Sequence, residues 1–115
     1  MQRLDPTTRY SKAVIHGDTV YLSGLIAETW DGDITVQANE IFAQIDALLA
    51  RAGSVRSRLV SLTCWIADFN DYAGFNAAYD GWIDTANLPA RATVRADLLD
   101  PKLRIEIMAI AAKGD

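Results

Sequence analysis

The sequence predicts an α+β fold, a mixed sheet with two helices on one of its faces and elements in the order β-β-α-β-α-β-β. Three observations predict it. Two stretches, about 35–52 and 71–85, place apolar residues at the three-four spacing of an amphipathic helix. The shorter stretches between and around them either alternate or are apolar throughout, as strands do. Turn residues separate the segments, and the chain of 115 residues has the common size of one domain, taken here as 1–115.

Residues 1–9 are polar and read as a loose arm. S-K-A-V-I-H-G-D-T-V-Y-L-S-G, residues 11–24, reads as two strands around a Gly17-Asp18 turn. Asp31, Gly32 and Asp33 mark a further turn. In the helix at 35–52, Ala38, Ile41, Phe42, Ile45, Leu48 and Leu49 form the inner face. Gln37, Asn39, Glu40, Gln44 and Asp46 form the wet one. Asp33 or Thr35 can cap its start and Gly53 can end it. L-V-S-L-T-C-W-I, 59–66, is apolar on both faces and so takes a central place in the sheet or one covered by another subunit. Asn70 or Asp71 caps the helix at 71–85, whose inner face carries Tyr72, Phe75, Tyr79, Trp82 and Ile83. Strands at 91–98 and 103–112 follow, and Asp100-Pro101 between them suggests an antiparallel hairpin. In the first, Arg91, Thr93, Arg95 and Asp97 share one face, and Ala92, Val94, Ala96 and Leu98 the other. Two helices cover one face of such a sheet. The other face needs a second copy of the chain, or it is a large exposed apolar surface.

Composition narrows the function. Half of the residues are apolar and the formal charge is −4, so a core is available and a polyanion is a poor partner. Arg51, Arg56 and Arg58 cluster loosely beside Gly53 and read as a solvated helix end. The single cysteine, Cys64, rules out an intrachain disulfide and reads as a buried, inert thiol. Neither it nor His16 has companions at metal-ligand spacing. The N-terminal stretch M-Q-R-L-D-P-T-T-R-Y-S-K has no apolar core of signal-peptide length and no run reaches the length of a membrane span, so a cytoplasmic protein is the default expectation.

Two residues stand out. Arg91 opens a strand after Pro89, and its planar guanidinium suits a carboxylate. Glu106 interrupts the apolar run I-E-I-M-A-I-A-A, where a carboxylate is costly to bury without compensation. A structural ion pair, with Asp97 or Glu106 for Arg91, is the plain alternative to a functional role.

The order and spacing of several pieces resemble the RidA/YjgF family of enamine/imine deaminases. They are Tyr10 upstream of V-Y-L-S-G with Ser23 and Gly24, R-A-G at 51–53, D-F-N-D-Y at 68–72, F-N-A-A-Y at 75–79, P-A-R at 89–91 and R-I-E-I-M-A-I-A at 104–111. The wording is most similar to the YoaB-like branch. The resemblance implies a chorismate-mutase-like fold and a homotrimer with its sites in clefts between subunits. It implies that Arg91 grips a substrate carboxylate, that Glu106 orients a water, and that Tyr10, Ser23, Gly24, Asn76 and Thr93 line or support the cleft. The implied substrates are small enamine/imine acids such as 2-aminoacrylate, converted to 2-keto acids and ammonia with no cofactor, metal, nucleic acid or membrane partner. Leu25 stands where many deaminases have Gln, Thr93 where Ser or Cys is common, and Met108 where a second Glu is common. A trimer that binds 2-keto acids without turning them over is the alternative. Ribonuclease activity, described for some members, is disfavoured by the acidic balance and the lack of a basic groove.

Overall fold

The computed structural model describes residues 1–114. Its strands are β1 (Gln2–Pro6), β2 (Ser11–His16), β3 (Thr19–Leu22), β4 (Leu59–Ile66), β5 (Ala90–Arg95) and β6 (Ile105–Ala112). The helices are α1 (Ile34–Arg51) and α2 (Tyr72–Trp82). One six-stranded sheet runs in the order β1-β2-β3-β6-β4-β5. Neighbours are antiparallel except β4 and β5, which are parallel.

The helices explain that order. A connection between parallel strands needs a crossover, most often a helix. α2 supplies the one from β4 to β5. α1 carries the chain from β3 to β4, which are parallel to each other and leave a slot that β6 fills antiparallel to both. β5 and β6 are therefore not the hairpin that Asp100-Pro101 suggested: β4 lies between them, and residues 96–104 form a long connection. The N-terminal arm is also corrected. It is an edge strand paired with β2, pinned by Leu4 in the core and by Asp5, whose carboxylate accepts from Arg51 at 2.6 and 2.9 Å.

Local signals hold elsewhere. The β2–β3 hairpin turns at Gly17, which has a φ of +59°. Asp33 caps α1 by accepting from the Val36 amide at 2.9 Å, and Gly53, at φ +79°, follows its end. α2 is shorter than expected, and Asp71 sits at its cap without a capping bond. Asp68 instead accepts from the Asn70 amide at 2.8 Å. β4 is interior, as its two apolar faces require.

Both helices cover one face. Phe42 stacks on Trp82 with ring centroids 4.3 Å apart, and Ile41, Ile45 and Phe75 are fully buried beside them against Leu62, Ile105 and Ile107. Gln37, expected on the wet side of α1, is fully buried. Its amide nitrogen donates to the carbonyls of Trp30, Gly32 and Lys102, and its oxygen accepts from the Arg104 amide at 2.9 Å. It clamps the loop before α1 to the start of β6. The opposite face is open, and Tyr21, Val60, Val94 and Met108 expose between 39 and 52% of their surface there.

Candidate functional site

Strand alternation assigns each predicted residue to a face. Arg91 pairs with Leu62 and Thr93 with Cys64, both on the helix-covered side of β4. Glu106 pairs with Trp65, on the open side. Arg91 and Glu106 thus stand on opposite faces with β4 between their strands.

Arg91 sits at the sheet edge beneath α2. Its guanidinium lies 4.6 Å from the centre of the Tyr79 ring and 5.3 Å from that of Phe75. Such contacts hold a guanidinium by its face and leave the N–H edge available. Nη2 donates to the Tyr72 hydroxyl at 3.3 Å. No carboxylate among the described residues forms an ion pair with Arg91, so the pairing with Asp97 or Glu106 is not made within one chain. Thr93 Oγ1 is shielded and has no hydrogen-bond partner among the described residues. Cys64 is buried behind it, and burial pushes its thiol up to about 11 despite the nearby Arg91, in keeping with an inert thiol. Asn76 is half-buried one turn along α2 from Tyr72.

The second group gathers where β3 ends. Tyr10, Ser23 and Gly24 line one cavity of about 410 Å³ together with Lys12, Trp30 and Gln44. Ser23 Oγ is shielded and unpartnered among the described residues. Gly24 abuts Glu106 so closely that a Cβ on it would overlap Oε2 and come within 3.2 Å of the carboxyl carbon. Leu25 then pairs with Ile107, with bonds of 2.8 and 3.1 Å, and points into the core. Glu106 also borders a cavity of about 300 Å³ with Trp65 and residues 96–99. Burial raises the pKa of its carboxyl above the ordinary glutamate value.

One chain therefore keeps the predicted residues in two separate groups: Arg91 and Thr93 on the β5 edge under α2, and Tyr10, Ser23 and Gly24 at the end of β3, where Gly24 abuts Glu106. Sequence reasoning placed Phe75, Tyr79 and Tyr72 in the core. Phe75 and Tyr79 are buried, yet they also carry Arg91, and Tyr72 is 42% exposed beside it. Trp30 and Lys12 were not singled out. Nothing local in the sequence tells that residues 25–28 and Trp30 share a cavity with Tyr10 and Lys12.

A family model described as Endoribonuclease L-PSP matches residues 1–113. The chain belongs to the RidA/YjgF family. The RutC family protein YoaB of Escherichia coli strain K12 is 41% identical over 110 residues, covering 96% of both chains. A 2-iminobutanoate/2-iminopropanoate deaminase of Rattus norvegicus is 33% identical over 111 residues, covering 91% of this chain and 80% of the rat protein. The crystal structure of a YjgF family member from Neisseria meningitidis superposes with a TM-score of 0.95 at 35% identity, covering 99% and 95%. RidA/YjgF structures thus share this sheet order and helix placement. No helix among the described residues is long and apolar enough to cross a membrane.

Proposed function

We propose that the protein hydrolyses small imine carboxylic acids to 2-keto acids and ammonia, in clefts that join the Arg91 edge of one copy to the Glu106 face of another. The observation that carries this reading is the Arg91 guanidinium, held on two ring faces with no carboxylate partner among the described residues. A cation prepared in this way suits an anionic ligand. The name of the rat relative gives that ligand a class, a 2-imino acid.

The separation of Arg91 and Glu106 argues for assembly. Tyr21, Met108, Val60 and Val94 on the open face supply the apolar surface that a second copy would cover, and a homotrimer closes three such contacts. An enamine acid first tautomerises to the imine. Arg91 holds the carboxylate, which fixes the imine carbon in the cleft. Glu106 accepts a proton from a water as its oxygen adds to that carbon. The imine nitrogen takes a proton from solvent to give the carbinolamine. Glu106 then returns its proton to that nitrogen, the hydroxyl gives its proton to solvent, and the C–N bond breaks to release ammonia and leave the keto acid. A carboxyl whose pKa burial has raised is suited to taking a proton and returning it. The imine is already electrophilic, so this reaction asks for no metal or organic cofactor. The net charge of −4 works against RNA as the substrate.

The test follows imines made in solution by an amino-acid oxidase, with semicarbazide trapping the imine that remains. Wild-type protein should shorten imine lifetime, whereas Arg91→Ala and Glu106→Gln should not. Keto-acid binding that survives in Glu106→Gln, beside a wild type with no turnover, would favour the binding-protein alternative. Wild-type protein that neither accelerates hydrolysis nor binds a keto acid would end both readings.

A further inference from the structure

We infer that the Tyr72 hydroxyl is a second donor in the carboxylate-binding site, acting beside Arg91 on the same carboxylate; this rests on the reading of Arg91 as the substrate's anchor. The geometry divides the work. Tyr79 and Phe75 occupy the guanidinium face, so ligands reach Arg91 through its N–H edge. One N–H of that edge already donates to the Tyr72 oxygen at 3.3 Å. A guanidinium accepts no hydrogen bond. The phenolic proton of Tyr72 is therefore not used by Arg91, and the hydroxyl donates to no acceptor among the described residues.

Tyr72 sits in the first turn of α2, and unlike Phe75 and Tyr79 it is not drawn into the core. It exposes 42% of its surface, against 0% for Phe75 and 7% for Tyr79. The hydroxyl of this exposed ring meets the guanidinium at its N–H edge, through Nη2. An anion seated on Arg91 meets charged N–H groups and a neutral O–H whose dipole Arg91 itself polarises. Hydrogen bonds to an ionised acceptor are the strong ones, so the hydroxyl favours a carboxylate over an uncharged carbonyl. Tyr72 thereby also positions Arg91, because an arginine tied at one nitrogen loses fewer rotamers on binding.

Tyr72→Phe keeps the ring and removes only the hydroxyl. Calorimetry of the assembled protein with 2-oxobutanoate should show binding weakened about threefold to tenfold. In the imine assay KM should rise by a similar factor with kcat nearly unchanged, and the melting temperature should not move. The uncharged analogue 2-oxobutanamide serves as the control, and its weaker binding should lose less. Equal keto-acid affinity in wild type and Tyr72→Phe overturns the inference while leaving Arg91 as the anchor. An equal loss for the amide overturns it too, because the hydroxyl would then not be reading charge. Wild-type protein that neither binds 2-oxobutanoate nor hydrolyses imines removes the anchor reading itself, and the role of Tyr72 with it.

Discussion

Gly24 leaves the space that the Glu106 carboxylate occupies. A Cβ at residue 24 would overlap Glu106 Oε2. The backbone of Gly24 is not in the left-handed region, so its lack of a side chain matters here for close approach. Gly24→Ala should fold, because Glu106 is half-exposed and can swing away. The displaced carboxylate would no longer meet the water. Misplacement of about 1 Å can cost on the order of 100-fold in rate. The expected outcome is a loss of imine hydrolysis of at least about tenfold, with keto-acid affinity changed much less. Full activity in Gly24→Ala would show that the position of Glu106 is not critical.

Gln37 is the polar residue on which the site loops hang. Its side chain satisfies three carbonyls and the Arg104 amide inside the core. Gln37→Leu keeps much of the volume and strands all four groups. Each buried unpaired group costs about 1–3 kcal/mol, offset where loops relax toward water. A loss of roughly 3–5 kcal/mol in denaturant unfolding is expected. Gln37→Glu should not rescue it, because a carboxylate oxygen would face carbonyls. Activity should fall as well, since Trp30 lines the Tyr10–Ser23 cavity and Arg104 precedes β6. Wild-type stability in Gln37→Leu would mean that the clamp is dispensable.

Cys64 gives the stability a pH dependence at the alkaline end. Burial raises its pKa from 9.0 to about 11 in the folded chain. A group whose folded pKa is raised contributes stability that is fully present below its unfolded pKa. That contribution is lost as pH rises through the folded value. The loss should run from about pH 9 to pH 11 and approach ~2–3 kcal/mol at most. Cys64→Ala should be less stable than wild type at pH 8, through the lost packing, and the gap should narrow between those pH values. Urea titrations at several pH values measure it. A gap of constant size would mean that the thiolate is not disfavoured in the folded state.

The sequence was most legible where its signals are local. The period of α1, the Asp33 cap, the glycine after its end and the Gly17-Asp18 hairpin each follow from a few neighbouring residues. β1 was missed because an edge strand with one core residue, Leu4, shows no apolar alternation. The supposed β5–β6 hairpin failed for another reason. A turn at Asp100-Pro101 reverses the chain but does not say which strand receives it, and the open slot between β3 and β4 is a property of the whole sheet. Alternation correctly grouped Arg91 with Thr93 and Arg95. It did not relate that group to Glu106, because the relation depends on β4 lying between them. Gln37 and Tyr72 were exchanged, the amide expected in water and the phenol in the core. Amphipathic spacing ranks residues by polarity and does not register four loop groups waiting for one buried partner.

Arg91 and Glu106, on opposite faces of one sheet, make a prediction about mixtures. If a working cleft takes Arg91 from one copy and Glu106 from another, then Arg91→Ala and Glu106→Gln are each inactive for a different half. Mixed subunits can build a cleft with both groups intact. Random assembly of equal amounts, after unfolding and refolding together, should place an intact pair in roughly one quarter of clefts. The mixture should then recover roughly one quarter of wild-type turnover, while each variant refolded alone stays inactive. The double variant mixed with wild type is the control for refolding yield, since it also leaves roughly one quarter of clefts intact. A site completed within one chain predicts a different result, because no Arg91→Ala or Glu106→Gln subunit could then carry both groups. Recovery in the control with none in the single-variant mixture would therefore place both residues in one subunit's site, against the separation by β4. Recovery in both would make the cleft a joint product of two copies and give the open apolar face its occupant.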